Sequence, residues 1–257
     1  MITFRPAARI ASTALFVLAV AGPASAQTPI HAYEFNGSYA DTYGGPAMIN
    51  NGGVLGGGGY TFAAGQGLSL SNWLGGSATS GNYSIETYFS FTNATGGYRK
   101  IVDFKNLTAD AGLYDSATQL DFYPTSSISP LGVFEPNTMY HLVLTRDGAT
   151  NTFNLYENGV QVTNFPFTDS TSLATFDGLN NIMHFFQDDN VTGGSEVSGG
   201  FVDFIRIYDT PLTAAQVAAL FNLIPVPEPS SLFLTLAGGL GWILARRRSR
   251  LLKHPRA

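Results

Sequence analysis

The stretch YHLVLTRDGATNTFNLYENGVQV, residues 140–162, decides the fold. Apolar and β-branched side chains fill residues 139–146, Asp147-Gly148 breaks the run, and a second run begins at Thr152. Asn158-Gly159 then separates Asn154-Leu155-Tyr156 from Val160-Gln161-Val162. Two residues that accept positive φ between two such runs predict a tight type I′ hairpin. Three antiparallel strands are expected here, over 139–146 and over 152–165 folded back at 158–159.

The chain on either side reads the same way. Residues 83–91 alternate strictly: Tyr83, Ile85, Thr87, Phe89 and Phe91 share one face, Ser84, Glu86, Tyr88 and Ser90 the other. A period of two predicts a strand with one face in the core and a polar face toward solvent. Glu86 and Tyr88 on that polar face are therefore the candidate ligand face. Further strands are expected at 31–35, 100–104, 120–123, 182–186 and 200–208, while 106–118 reads as loop. The glycine-heavy stretch 52–67 lacks the Lys-Ser/Thr ending of a phosphate loop, so it reads as loop and edge strand around Val54, Leu55, Tyr60 and Phe62. Only 213–221 has helical character: Thr213 and Gln216 form a capping box, and Val217, Leu220 and Phe221 form the docking stripe. The fold class is all-β.

The 140–162 stretch resembles the central meander of laminin-G-like or concanavalin A-like domains, in which a strand carrying a His leads through an Asp turn to a Tyr-x-Asn-Gly hairpin. His141, Asp147, Tyr156, Asn158 and Gly159 carry the likeness, with Tyr140 as the aromatic before the His. GGFVDFIRIYDTPLTAAQVAAL, residues 199–220, resembles the closing strand and helix of the same domains, through Asp203, Arg206 and Tyr208. The resemblance implies an antiparallel jelly-roll sandwich over 27–224. It implies a carbohydrate-binding or adhesive module, and it admits a glycoside hydrolase or lyase as an alternative.

Both ends of the chain carry targeting features. Arg5 and Arg9 precede an apolar run at 10–21, and Ala24-Ser25-Ala26 offers the small residues a signal peptidase reads, so residues 1–26 are expected to be a signal peptide cleaved after Ala26. At the other end, 225–257, Pro227-Glu228-Pro229 is followed by an uncharged apolar run at 232–245 and by Arg246, Arg247, Arg248 and Arg250. As a helix, 230–245 would rise roughly 24 Å, short of the ~30 Å hydrocarbon core. This order resembles the PEP-CTERM sorting signal of Gram-negative bacteria, and the alternative is a plain single-pass anchor. The resemblance implies transient or anchoring contact with the inner membrane, recognition of Pro227, Glu228 and Pro229 by an exosortase, and an exported protein of the cell envelope or extracellular matrix. Signal helix and tail helix both lie outside the expected core.

Between these segments, residues 27–225 hold 5 basic and 17 acidic residues, a net charge of −12. Such a body repels nucleic acid and anionic lipid, so neither is a partner. The chain has no cysteine, which excludes disulfides, thiol catalysis and thiolate metal sites. The loop QDDNVTGGSEVSGG, residues 187–200, gathers Asp188, Asp189, Asn190 and Glu196, an oxygen-only set that suits calcium, though its spacing is not that of an EF-hand. His31, His141 and His184 read as satisfied sheet residues. Arg206 reads as the partner of Asp203 or of another acid on the sheet. No Glu-x-Asp-x-x-Glu or Glu-x-Asp-x-Glu set occurs, so no catalytic residues are assigned, and a purely structural envelope component stands beside the binding module.

Overall fold

The computed structural model describes residues 27–71, 81–125, 127–128, 134–163, 167–169, 174 and 182–225. Ala24, Ala26, Pro227, Glu228, Pro229, Arg246, Arg247 and Arg248 lie outside the described residues. Within them, no helix is long and apolar enough to cross a membrane.

The body consists of two antiparallel sheets and one short helix. The first sheet has nine strands. Its main path runs β13 (Val160–Gln161), β12 (Thr152–Glu157), β11 (Tyr140–Asp147), β6 (Tyr83–Phe91), β16 (Gly200–Tyr208), β4 (Gly59–Phe62) and β3 (Val54–Gly56). β1 (His31–Tyr33) pairs with β16, and β14 (Phe167–Thr168) with β12. The second sheet has seven strands: β10 (Ser127–Ile128), β9 (Gln119–Tyr123), β8 (Gly112–Ser116), β7 (Tyr98–Asp103), β15 (Met183–Phe185), β5 (Gly67–Leu70) and β2 (Ile49–Asn51). This is the all-β jelly-roll sandwich expected from the 140–162 stretch.

The meander forms as its residues dictate. β11 and β12 pair from Leu142 opposite Glu157 to Asp147 opposite Thr152. Asn158 and Gly159 sit at φ 49° and 79°, as the type I′ turn requires. Gly159 is also close to the helix: a Cβ there would sit 3.0 Å from Phe221 Cβ, so a larger residue would push on the helix as well as straining the turn. The 106–118 stretch departs from expectation, because it contains β8. Leu113 and Tyr114 are its only large apolar residues, and Gly112, Asp115 and Ser116 hide a strand that is nonetheless buried throughout.

The two sheets pack face to face through one cluster that draws Ile85, Phe89 and Phe91 from β6, Leu113 from β8, Leu120 and Phe122 from β9, and Phe185 from β15. Burying each such ring or aliphatic side chain contributes about 1.5–3 kcal/mol, which is what holds a sandwich without disulfides. The helix α1 (Ala214–Phe221) lies on the far side of the first sheet. Its capping box is present, and Val217 and Leu220 bury against Val143, Tyr156 and Tyr208. Helix and second sheet therefore cover opposite faces of the first sheet.

Candidate functional site

Alternation predicted that Ser84, Glu86, Tyr88 and Ser90 would share a face outside the core, and they do. That face is not open. Helix α1 covers it, so the assignment of Glu86 to a solvent-facing ligand site is corrected: Glu86 has no exposed surface. Register puts Glu86 between Val143 of β11 and Arg206 of β16. Its carboxylate accepts a hydrogen bond from the Tyr208 hydroxyl at 2.6 Å, lies 2.8 Å from His141 Nε2, and is 3.6 Å from the Arg206 guanidinium. Burial, then the Glu86 charge, pushes the Tyr208 hydroxyl far above its ordinary range. Tyr88 is half-buried, stacks on Phe204, and borders a cavity of about 350 Å³ with Met139, Asn158 and Phe221.

Arg206 pairs with a sheet acid, but the acid is Glu34 just beyond β1, met twice at 2.9 and 3.1 Å. A register shift between Val202 and Phe204 places Asp203 at a bulge, and the guanidinium lies over the Phe204 ring instead. The three histidines do not converge. His31 meets Asp41, and His184 meets Gln187 and Asn106. His141 departs from the satisfied residue expected, since its Nδ1 is buried without a hydrogen-bond partner among the described residues.

The other outer face, on the second sheet, carries a different chemistry. Pairings of Tyr98 with Ser116, Lys100 with Tyr114, Tyr114 with Asp121, and Gly112 with Tyr123 place Tyr98, Lys100, Tyr114, Asp121 and Tyr123 on one side of β7, β8 and β9. Leu113, Leu120 and Phe122 fill the core, so this side faces away from it. The three tyrosine rings pack edge to face, with centroids 5.8 to 6.4 Å apart. Tyr114 is fully buried, whereas Tyr98 and Tyr123 remain 37% and 36% exposed. Two exposed rings on a buried third make a firm apolar surface with hydroxyls at its edge.

Carboxylates border this surface. The Tyr114 hydroxyl donates to Asp110, and Asp110, Asp189 and Glu196 bring carboxylate oxygens within 4.8 Å of one another. Two residues of the expected calcium set, Asp189 and Glu196, thus meet, joined by Asp110. Asp188 and Asn190 stand outside the group. Asp188 instead ties the loop, accepting from the Thr192 hydroxyl and from the N–H groups of Asp189 and Glu196, and Asn190 is exposed.

A lysine already occupies part of this set. Lys100 Nζ already sits 2.6 Å from Asp189 and 3.3 Å from Asp103, with its ammonium over the Tyr114 ring. The remaining Asp189 oxygen accepts from the N–H groups of Val191 and Thr192. With Asp189 held by Lys100, a calcium ion here would draw most of its six to eight oxygens from Asp110, Glu196, backbone carbonyls and water.

The same groups set a pH dependence. Burial, then Asp110 and Asp188, pushes Glu196 up to about 7, and burial pushes Asp115 and Asp121 up to about 6. Burial also acts on Asp189 and Asp41, but hydrogen bonds from Lys100 and Thr192, and from His31 and Ala32, outweigh it and hold both below the ordinary value. A raised acid binds its proton more tightly folded than unfolded. Its contribution is complete below the unfolded value and is lost as pH climbs through the folded one; a depressed acid contributes above its unfolded value and loses that contribution on acidification. The unfolding temperature should therefore rise as pH is lowered from about 8 to about 5 and fall again below about 4. Calorimetry across that range checks this, and a flat profile between about 5 and 8 would contradict it.

Tyr98, Tyr114, Tyr123, Asp110 and Asp121 were not singled out from the sequence. The usable signal was Tyr98-x-Lys100 and Asp121-x-Tyr123, alternating residues on two strands. Their meeting place is β8, which reads as loop.

The fold has close likenesses among solved structures. A sialidase of Trypanosoma rangeli in complex with 2,3-difluorosialic acid matches 75% of this chain and 32% of its own, with 16% identity and a TM-score of 0.59. The structure titled for the dependence of botulinum neurotoxin type C cell entry on two ganglioside molecules matches over 77% and 51%, with 12% identity and a TM-score of 0.58. The binding domain of botulinum neurotoxin DC with rat synaptotagmin II matches over 77% and 52%, with 11% identity and the same TM-score. The chain thus spans from a third to a half of these structures, which at such identities share its fold alone. No curated protein matches it. The family model for concanavalin A-like lectin/glucanases matches residues 56–218, from β3 into α1, and the chain belongs to that superfamily.

Proposed function

We propose that this chain is an exported carbohydrate-binding module that holds a glycan on the Tyr98–Tyr114–Tyr123 surface. One observation carries the reading: two partly exposed rings seated on a buried third, bordered by carboxylates, on a sheet face that α1 leaves uncovered. Aromatic rings stack on the apolar C–H face of a pyranose, and carboxylates accept from its hydroxyls. Among the solved neighbours, titles naming a sialic acid derivative and gangliosides support glycans as the general ligand class, and not these acidic sugars in particular. Calcium is not required in this reading, because Lys100 supplies the cation among the acids.

Export through signal peptidase and processing by an exosortase belong to the same proposal. What supports them is the order of residues at the two ends, Ala24-Ser25-Ala26 and Pro227-Glu228-Pro229 followed by an apolar run and arginines. The Gln27 side chain meets Gln216 of α1, and Pro225 lies beside Phe221, so the first and last of the described residues both sit on the helix side. A body attached to the inner membrane or envelope on that side would turn the tyrosines outward.

A glycoside hydrolase is the second reading, favoured by the spacing of Asp189 and Glu196 and by their opposed shifts. It is weaker because both Asp189 oxygens are engaged, which leaves it a poor nucleophile. The full chain, purified in a sugar-free detergent, should be retained by at least one immobilised polysaccharide, with or without a calcium chelator, and should release no reducing ends. Indifference to every polysaccharide would favour the structural envelope component, and turnover abolished by Glu196→Gln would establish the hydrolase.

A further inference from the structure

We propose that the tyrosine surface takes uncharged glycans and turns away carboxylated ones. The inference rests on the glycan-binding reading above and deepens it. Proteins grip a carboxylate with a free guanidinium or ammonium, most often the Arg fork. Residues 27–225 contain Arg99, Lys100, Lys105, Arg146 and Arg206 as their whole complement of cationic side chains. Four of the five are engaged through their cationic groups. Arg99 is buried against Asp115 and donates to the carbonyls of Thr95 and Gly96. Lys100 has no exposed surface on its side chain and is shared by Asp103 and Asp189. Arg146 bonds the Gly81 carbonyl and Asn151 and lies 3.8 Å from Asp169, and Arg206 is clamped by Glu34. Lys105 is half-buried in the loop after β7, where its backbone N–H donates to Asp103.

The border of the surface has the opposite sign. Asp110, Asp189 and Glu196 stand at the Tyr114 hydroxyl, and Asp121 lies beside Tyr114 in the sheet, so one lysine faces four carboxyl groups. Glu196 also keeps one carboxylate oxygen buried without a hydrogen-bond partner among the described residues. Above about pH 7, where Glu196 has given up its proton, a glycan hydroxyl can donate to these oxygens, whereas a glycan carboxylate is repelled by them. The net charge of −12 on the surrounding body adds a longer-range field of the same sign.

The test compares matched pairs on the full chain and on its Tyr98→Ala variant, by calorimetry at low salt and at about pH 8, above the raised values of Glu196 and Asp121. The probes are neutral glucan, mannan and galactan oligosaccharides, each beside the same oligosaccharide oxidised at C6 to the uronic acid. The expected result is Tyr98-dependent binding of a neutral member, with its oxidised partner about tenfold or more weaker and the gap narrowing as salt is raised. Equal or tighter binding of the oxidised partner, still lost in Tyr98→Ala, would overturn the exclusion of anionic glycans while leaving the binding site standing. Absence of binding in both charge classes, or binding untouched by Tyr98→Ala, would overturn the site itself.

Discussion

Replacing Tyr98 and Tyr123 together by alanine should weaken glycan binding at least about thirty-fold and leave the sandwich folded. Each ring exposes about a third of its surface, and both rest on Tyr114 with edge-to-face geometry. A ring fixed by two aromatic neighbours loses little freedom when a sugar lands on it, which is the condition under which a tyrosine dominates a binding surface. Truncating such an anchor costs about 2 kcal/mol or more, which at about 1.4 kcal/mol per decade is the factor stated. The fold survives the change. Three ring contacts at about 0.5–1.5 kcal/mol each are lost at the surface, while the inter-sheet core is untouched. Tyr98→Phe separates the two sources of affinity, since it keeps the ring and removes the hydroxyl, and it should bind within about threefold of the native chain if stacking dominates. Native affinity in the double alanine variant would eliminate the surface as the site.

The elements legible in sequence are those whose cause is local. Asn158-Gly159 fixes its hairpin through backbone conformation, Thr213 and Gln216 start the helix through reciprocal hydrogen bonds, and residues 83–91 declare a strand by period alone. Each rests on residues within a few positions of one another. The site was less legible because it depends on register between strands. Tyr98 and Tyr123 are 25 positions apart and meet only across β8. Gly112, Asp115 and Ser116 gave that strand the look of a turn. The error over Glu86 has a related origin. Period two states which residues share a face, and Val217, Leu220 and Phe221 state that a helix docks. Neither says that the helix docks on the face bearing Glu86, a fact settled by the packing of Leu212, Val217 and Leu220 onto Val143, Tyr156 and Tyr208.

That covered face carries the largest expected stability effect. Glu86→Ala should destabilise the chain by about 3–5 kcal/mol, because it deletes one partner of a buried charged cluster and leaves the others in place. The Tyr208 hydroxyl loses its acceptor at 2.6 Å, and His141, already without a partner on Nδ1, loses its contact on Nε2. Arg206 keeps Glu34 and is partly exposed, so it adds little to the penalty. At about 2–4 °C per kcal/mol for a domain of this size, the unfolding temperature should fall by about 6–20 °C. Glu86→Gln keeps the volume and one acceptor oxygen and should recover part of the loss. A double-mutant cycle with His141→Ala should give a coupling of about 0.5–3 kcal/mol, since the two side chains share one enclosed hydrogen bond. Glycan affinity of the folded protein should not change in Glu86→Ala, because Glu86 lies beneath the helix on one sheet and the tyrosines lie on the outer side of the other. Loss of binding without loss of stability would reverse that assignment, making the cavity beside Tyr88 and Phe221 the ligand site and the tyrosine surface ordinary exterior.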